Sequence, residues 1–263
     1  MSSEDQNAPL VSAGKTSVVR RVSELLAAFG QKEDELEIGQ LVRRTGIPKA
    51  TVSRLVKDLT TVGLLERRGS KVCLGLRLFE LGERASRCSS LREVALPFLA
   101  DLREATGQTV HLAVLDGVEV VYLEKVRGRN APRLPSAIGS RLPAHATGVG
   151  KALLAAAGPE VLDVLLASNP RRLGPHTIIA PDALSSELRC VATRNIAYER
   201  EESAPNVACV ASAVRTGRGQ SVAAVSASGW IEKVDIRRIE PAVRATAQSI
   251  GRALNAYGTS RPN

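Results

Sequence analysis

Residues 38–74 read IGQLVRRTGIPKATVSRLVKDLTTVGLLERRGSKVCL, and this stretch decides the fold of the first part of the chain. Apolar residues recur at helical spacing on both sides of Thr45-Gly46-Ile47, where Gly46 is able to take the left-handed conformation that closes a helix. Pro48 suits the first turn of the helix that follows. We therefore predict a helix from about Ile38 to Arg44 and another from Pro48 to about Thr61, joined as a helix-turn-helix.

The flanking sequence completes a winged form of this motif. Ser17 is placed to cap an amphipathic helix that runs to Phe29, and two short strand-like runs surround the turn at Gly69. We predict a winged helix-turn-helix domain over residues 16–76, with a basic tip on the wing. Residues 1–15 are rich in Ser, Asp, Asn and Gly, a composition typical of a disordered tail.

Positive charge is concentrated in this domain. The whole chain carries a net charge of +9. Between Ile38 and Arg77, nine lysines and arginines stand against Asp58 and Glu66 alone, so this segment carries +7. Neutralisation of nucleic-acid phosphates requires a compact segment with this much positive charge. The alternatives are a solvated charged face and a contact with protein. We predict contacts with double-stranded DNA from Arg43, Lys49, Thr51, Ser53, Arg54, Lys57, Arg67, Arg68 and Lys71.

Length and composition exclude several classes of protein. The 263 residues are enough for two domains that each bury a core. No run of about 18 apolar residues is present and the first residues do not form a signal peptide, so we expect a cytoplasmic protein without membrane contact. The four cysteines, Cys73, Cys88, Cys190 and Cys209, form no CxxC pair or Cys/His cluster. We therefore predict no disulfide, metal or cofactor.

Residues 77–106 are predicted to form a helical linker. Pro97 either lies early enough to cost one hydrogen bond or bends the helix. The apolar stripe of the linker is a core face or, because nothing adjacent in sequence covers it, a dimer contact. Its members are Leu78, Leu81, Ala85, Leu91, Val94, Ala95, Phe98, Leu99 and Leu102.

The second half of the chain alternates between strand-like and helical segments. VHLAVLD and VEVVYLEKV precede a group of helices, and VACVASAV and SVAAVSAS precede a last helix from about Asp235 to Tyr257. Strands followed by helices in this order favour an α+β domain with an antiparallel sheet over residues 107–258. Residues 259–263 are predicted to be a short disordered tail.

Three ordered motifs resemble the IclR family of bacterial transcriptional regulators. The helix-turn-helix of residues 38–67 and the sequence LGLRLFELG that follows the wing resemble its DNA-binding part. RLPAHATGVGKALLA, at residues 141–155, resembles the hallmark at the entrance of its sensing domain. NIAYEREESAPNVACVASAVR and SVAAVSASG resemble its second signature. The resemblance covers nearly the whole chain and implies a GAF-like sheet that holds a small organic acid or an aromatic compound.

The resemblance also implies the residues that contact this effector: Gly148, Val149, Glu199, Cys209, Ser226 and Ser228. The residue chemistry is compatible, since Ser226 and Ser228 share one face of a strand and backbone amides at a helix start favour a carboxylate. Two positions depart from the family pattern, which often has a smaller residue than Val149 and an aspartate in place of Glu199. The alternatives are that Cys209 is an inert buried thiol and that the two serines only form hydrogen bonds with neighbouring backbone groups.

The function implied is that of a ligand-responsive regulator, commonly a repressor, of a metabolic or catabolic operon. The family assembles as homodimers or dimers of dimers, and paired recognition helices read pseudo-palindromic operators. The competing hypothesis is a constitutive DNA-binding protein whose second domain only oligomerises.

An enzyme is a third hypothesis, with His145, Glu199 and Cys209 as base, acid and nucleophile. Nothing in the sequence places these three within hydrogen-bonding reach. GVGKALL also suggests a phosphate-binding loop, but His145 stands where that motif needs glycine and Ala152 where it needs a hydroxyl. We therefore predict that the protein is not an enzyme.

Overall fold

A computed structural model describes residues 17–30, 33, 35–84, 86–129, 131–217 and 219–259. The predicted tail at residues 1–15 lies outside this part, and of the predicted tail at 259–263 only Thr259 is described, as the last residue of a helix. The chain divides into two compact units, residues 1–85 and 86–263.

The first unit is a winged helix-turn-helix. Its elements are α1 (Val18–Ala27), β1 (Leu36–Glu37), α2 (Ile38–Thr45), α3 (Lys49–Thr61), β2 (Leu65–Arg68), β3 (Lys71–Leu74) and α4 (Leu76–Glu83). Gly46 has a φ of 67°, so it closes α2 in the left-handed conformation predicted for it. The strands form an antiparallel sheet in the order β1-β3-β2. Strand β1 was not predicted, because two residues are too short to show a pattern.

The core of this unit joins α2, α3 and the wing. Leu41 of α2 packs with Val52, Leu55 and Val56 of α3, and Leu65 and Val72 of the wing close the cluster. The opposite face of α3 is left to solvent, which is where the polar residues of the helix lie.

The second unit is an α+β domain, which confirms the predicted fold class. Its elements are α5 (Ser86–Thr106), β4 (Thr109–Asp116), β5 (Glu119–Val126), β6 (Arg141–Pro143), a 3-10 turn (Ala144–Ala146), α6 (Gly148–Ala157), α7 (Pro159–Ala167), α8 (Pro181–Arg194), β7 (Ala197–Arg200), β8 (Val207–Arg215), β9 (Ser221–Trp230) and α9 (Ile236–Thr259). The six strands pair antiparallel in the order β6-β5-β4-β9-β8-β7.

Two layers of helices cover the sheet. On one face, α5 and α9 pack on a core that includes Leu112 of β4, Val210 of β8 and Val225 of β9. On the other face, α6, α7 and α8 pack on Ala113, Ala211 and Ala224 of the same three strands. Since successive strand residues point to opposite faces, the alternation of side chains decides which of them lie beneath α6.

The linker region forms two separate helices, α4 and α5. Leu91, Ala95, Leu99 and Leu102 of α5 are buried in the core of the second unit, so their stripe is a core face. On α4, by contrast, Leu81 of the predicted stripe is 46% exposed, and Ala85 lies outside the described residues. Pro97 is the twelfth residue of α5 and lies in the helix interior, beyond the early position considered from the sequence.

No helix in the described part of the chain is long and apolar enough to cross a membrane. Within the same residues, no group of three or more His, Cys, Asp or Glu side chains is arranged to hold a metal ion.

Candidate functional site

Helix α6 begins unusually close to the sheet. Thr147 caps it by accepting a hydrogen bond from the Gly150 amide at 3.0 Å. A methyl group on Gly148 would lie 2.8 Å from Cys209 Sγ, and one on Gly150 would lie 2.1 Å from the Ala144 carbonyl oxygen. Gly148 therefore allows the start of α6 to pack closely on strand β8, and Gly150 allows it to pack closely on the 3-10 turn.

A small cavity lies between this helix start and the sheet. Its volume is about 20 Å³, room for roughly one water molecule. The polar side chains in its wall are His111, Tyr122, Ser136, Thr147, Glu199, Ser203, Cys209, Ser226 and Ser228. Gly148 and Val149 complete the wall on the α6 side, with Leu134, Pro135, Leu142 and Val207.

Strand register brings the polar wall together. Glu199 of β7 is paired with Cys209 of β8, and Cys209 is paired with Ser228 of β9. Two residues along β9, Ser226 is paired with His111 of β4. Because residues paired across neighbouring strands point to the same face, these five side chains all lie on the α6 face of the sheet.

His111 is held as a neutral imidazole. Its Nε2 lies 2.8 Å from Ser136 Oγ and its Nδ1 lies 3.4 Å from Ser226 Oγ. Burial, reinforced by the positive charge of Lys125, lowers the pKa of His111 to about 3. The ring therefore offers one donor and one acceptor to the cavity wall and no charge.

Glu199 is the acidic group of the cavity and is 1% exposed. Its Oε1 accepts hydrogen bonds from the amides of Glu202 at 2.8 Å and Ser203 at 3.0 Å, and from the Ser203 hydroxyl at 3.2 Å. Burial is the main reason that the pKa of Glu199 rises to about 7, while these amides and the charge of Lys151 oppose the rise. Near neutral pH, Glu199 is thus present both as a hydrogen-bond donor and as an anion.

The other two ionisable groups of the wall stay neutral. Burial and the neighbouring Glu199 raise the pKa of the Cys209 thiol to about 12. Burial, with Cys209 and Glu199 nearby, also raises the pKa of the Tyr122 hydroxyl above its ordinary value. Both groups therefore act as neutral hydrogen-bonding groups.

All six residues that the sequence suggested for effector contact lie in the wall of this one cavity. Their contacts with an effector stay a prediction. His111 and Tyr122 were not suggested, although both lie in the same wall. A histidine at an alternating position of a strand that is otherwise apolar, as in VHLAVLD, was the available signal for His111.

The residues predicted to contact DNA lie on the first unit. Seven are exposed: Arg43 of α2, Lys49, Arg54 and Lys57 of α3, and Arg67, Arg68 and Lys71 of the wing. Thr51 and Ser53, near the amino end of α3, are half-buried. The helix and the wing thus present most of their predicted cations to solvent, but contact with DNA stays a prediction for each residue.

Glutamates of the segment before α2 partly neutralise this basic surface. Glu35 Oε1 lies 3.4 Å from Arg68 Nη1, and Glu35 Oε2 lies 3.9 Å from Lys71 Nζ. Among the described residues, Arg54 and Lys57 of α3 form no ion pair.

Two family models match the chain. The model described as the IclR helix-turn-helix domain matches residues 18–69. The model described as the bacterial transcriptional regulator IclR C-terminal domain matches residues 85–252.

Curated relatives and solved structures agree with these matches. The chain is 34% identical over 240 residues to the HTH-type transcriptional regulator XynR of Escherichia coli, covering 90% of this chain and 95% of that protein. It is 26% identical to the transcriptional repressor IclR of Escherichia coli, covering 94% and 92%. The structure of an IclR homologue from Microbacterium hydrocarbonoxydans, complexed with 4-hydroxybenzoate, superposes with a TM-score of 0.85 at 32% identity, covering 91% of this chain and 100% of that one.

Proposed function

Because this chain belongs to the IclR family of bacterial transcriptional regulators, we propose that it represses a metabolic or catabolic operon and that a small carboxylate relieves this repression. The observation that carries the proposal is the wall of the cavity under α6. It combines the first amides of a helix with neutral hydrogen-bonding groups on four strands.

A carboxylate fits this wall for electrostatic reasons. The amides of Gly148 and Val149 lie at the positive end of the α6 dipole, where an anion is stabilised. His111 and Tyr122 add hydrogen-bonding groups and an aromatic surface, with ring centroids 5.2 Å apart. An aromatic or short aliphatic acid uses both features, and the relative bound to 4-hydroxybenzoate supports this class of ligand.

The size of the cavity adds a conformational requirement. About 20 Å³ is too small for a benzoate ring, so the wall must move when an effector binds. Leu134, Pro135 and Ser136 belong to the connection between β5 and β6 and form a part of the wall that lies in neither the sheet nor α6. We propose that this connection opens for the effector.

DNA recognition is assigned to α3 and the wing. The amino end of α3, with Lys49, Thr51 and Ser53, would read base edges in the major groove, and the cations of the wing would contact phosphates. A homodimer, or a dimer of such dimers, would place two recognition helices on a pseudo-palindromic operator in the cytoplasm. A ligand that weakens operator binding must itself bind less well to the operator-bound protein.

Catalysis is not part of the proposal. The Cys209 thiol has a pKa raised to about 12, which disfavours the thiolate that a nucleophile needs. His145 lies outside the described wall of the cavity, and its Nε2 contacts the Arg171 carbonyl oxygen at 3.0 Å.

Thermal denaturation against a panel of small carboxylates, 4-hydroxybenzoate included, tests the proposal. Each acid is paired with its amide, which keeps the shape and removes the charge. Stabilisation by an acid but not by its amide supports a carboxylate effector. A protein that binds operator DNA and that no acid stabilises is the constitutive DNA-binding protein of the competing hypothesis.

A further inference from the structure

Lys151, the lysine of GVGK, is one of the largest fully buried side chains in the described chain, with 1% exposed. Burial of an ammonium group is unfavourable unless carboxylates surround it. Lys151 Nζ donates to Glu202 Oε1 at 2.7 Å and to Glu187 Oε1 of α8 at 2.9 Å. The lysine therefore joins α6 to two other segments of the second unit.

Glu202 links this ion pair to the effector cavity. Its side chain binds Lys151, while its backbone amide donates to Glu199 Oε1 at 2.8 Å. Its carbonyl oxygen accepts from the Gly174 amide at 2.9 Å and from Thr177 Oγ1 at 2.6 Å. The turn after β7, whose amides bind Glu199, is thus held from both sides, and Lys151 provides the contact from α6.

We propose that Lys151 is a positioning residue of the effector cavity: it joins the helix start at Gly148 to the turn after β7, whose amides bind Glu199. Lys151 follows Gly148 by three residues, so both lie in the first turn of α6. One ammonium group then fixes two parts of the wall relative to each other. The proposal rests on the proposed function only in naming the cavity as the effector site.

The charges around Glu199 give the proposal a specific electrostatic signature. Lys151 of α6 lowers the pKa of Glu199, and Glu202 of the same turn raises it. Cys209 of β8 and Tyr122 of β5 also face Glu199, and His111 of β4 lines the same cavity, but these three are neutral near pH 7. Removal of Lys151 and removal of Glu202 must therefore shift the titration of Glu199 in opposite directions.

The test is a titration of the glutamate side-chain carboxyl carbons by NMR in the full-length, ligand-free protein. The resonance of Glu199 is identified by its loss in Glu199→Gln. We expect Lys151→Met to raise its midpoint and Glu202→Gln to lower it, each by about one pH unit. Lys151→Arg, which keeps the charge, should restore the midpoint. Arg244→Met is the matched control, because Arg244 forms an ion pair with Glu240 on the opposite face of the sheet.

A second readout reports the geometry. Cys209 is buried against Gly148, so alkylation of the peptide that contains Cys209, followed by mass spectrometry, measures how firmly α6 is held. Modification should be about tenfold faster in Lys151→Met and Glu202→Gln, since the helix start opens more often, and unchanged in Arg244→Met. If Lys151→Met does not fold, Glu202→Gln alone decides the matter by both readouts.

The proposal would be overturned if Lys151→Met and Glu202→Gln shifted the Glu199 midpoint in the same direction, or if Glu202→Gln left this midpoint unchanged. It would also be overturned if Arg244→Met accelerated the alkylation of Cys209 as much as the other two variants do. Neither readout uses an effector. A protein that fails to bind any carboxylate therefore contradicts the proposed function without affecting this test.

Discussion

A methyl group added to Gly148 would lie 2.8 Å from Sγ of Cys209, closer than real side-chain carbons come to their neighbours. The start of α6 therefore lies directly on strand β8, at the position where β8 is paired with Glu199 on one side and Ser228 on the other. This contact brings the first residues of the helix, Gly148 and Val149, into the wall of the cavity.

The first prediction concerns this contact. Gly148→Ala should displace the helix start and lower carboxylate affinity about tenfold or more, in line with the roughly 1–3 kcal/mol that overpacking costs. Isothermal titration calorimetry measures the loss. The double variant Gly148→Ala with Cys209→Ala removes the sulfur atom and should recover much of the affinity. A double variant as weak as the single one would show that the contact does not shape the cavity.

The second prediction is a pH dependence of effector binding. Burial raises the pKa of Glu199 to about 7, so the group is neutral below that pH and an anion above it. A carboxylate is repelled by the anion and bound by the neutral form. Affinity should therefore fall as pH rises through about 7, approaching a tenfold loss per pH unit. In Glu199→Gln the carboxylate affinity should be nearly independent of pH between 6 and 8. Calorimetry at several pH values measures how steeply the affinity changes with pH in the wild type and in the variant.

The third prediction concerns DNA recognition by α3. Arg54 is exposed, and no ion pair holds it among the described residues. Arg54→Ala should weaken operator binding by about 1–3 kcal/mol and leave the melting temperature and carboxylate affinity unchanged. Arg54→Lys separates two roles, because a phosphate contact tolerates lysine and a bidentate base contact does not. Arg189→Ala, an exposed arginine of α8, is the control for loss of charge alone.

The fourth prediction concerns the wing. Glu35 is in ion-pair contact with Arg68 and Lys71, so it competes with DNA phosphates for both cations. Glu35→Gln should strengthen binding to non-operator DNA a few-fold at low salt, consistent with the roughly 0.2–1 kcal/mol of an exposed ion pair. Fluorescence anisotropy at two salt concentrations should show the gain shrinking as salt rises. An equal gain at both concentrations would argue against an electrostatic cause.

Local chemistry explains which parts of the fold were predictable from the sequence. Gly46 and Pro48 mark the boundary between α2 and α3, because each residue type has few alternatives at such a position. The strand-like sequences of β4, β5, β8 and β9 gave strands with ends close to those observed. Strands β1, β6 and β7 are two to four residues long, too short for a pattern to appear.

The cavity was only partly predictable for a different reason. Glu199, Cys209 and the two serines stand in motifs that resemble a family pattern, so a resemblance could suggest them. His111 and Tyr122 come from β4 and β5, and only the strand order β5-β4-β9-β8 brings them beside these motifs. Lys151 followed two glycines in a stretch that suggested a phosphate loop, and only its burial beside Glu187 and Glu202 reveals its contacts.

We propose that a carboxylate in the cavity under α6 controls operator binding. The most direct test recovers the operator by immunoprecipitating the protein with its bound DNA. The affinity for that site is then measured with and without each carboxylate, for the wild type and for Ser226→Ala with Ser228→Ala. We expect one acid to lower operator affinity about tenfold or more in the wild type, a coupling of roughly 1–3 kcal/mol. We expect little change in the double variant, which should bind DNA normally without ligand. An equal response in both proteins would place the effector site elsewhere, and the absence of any response in the wild type would contradict ligand control.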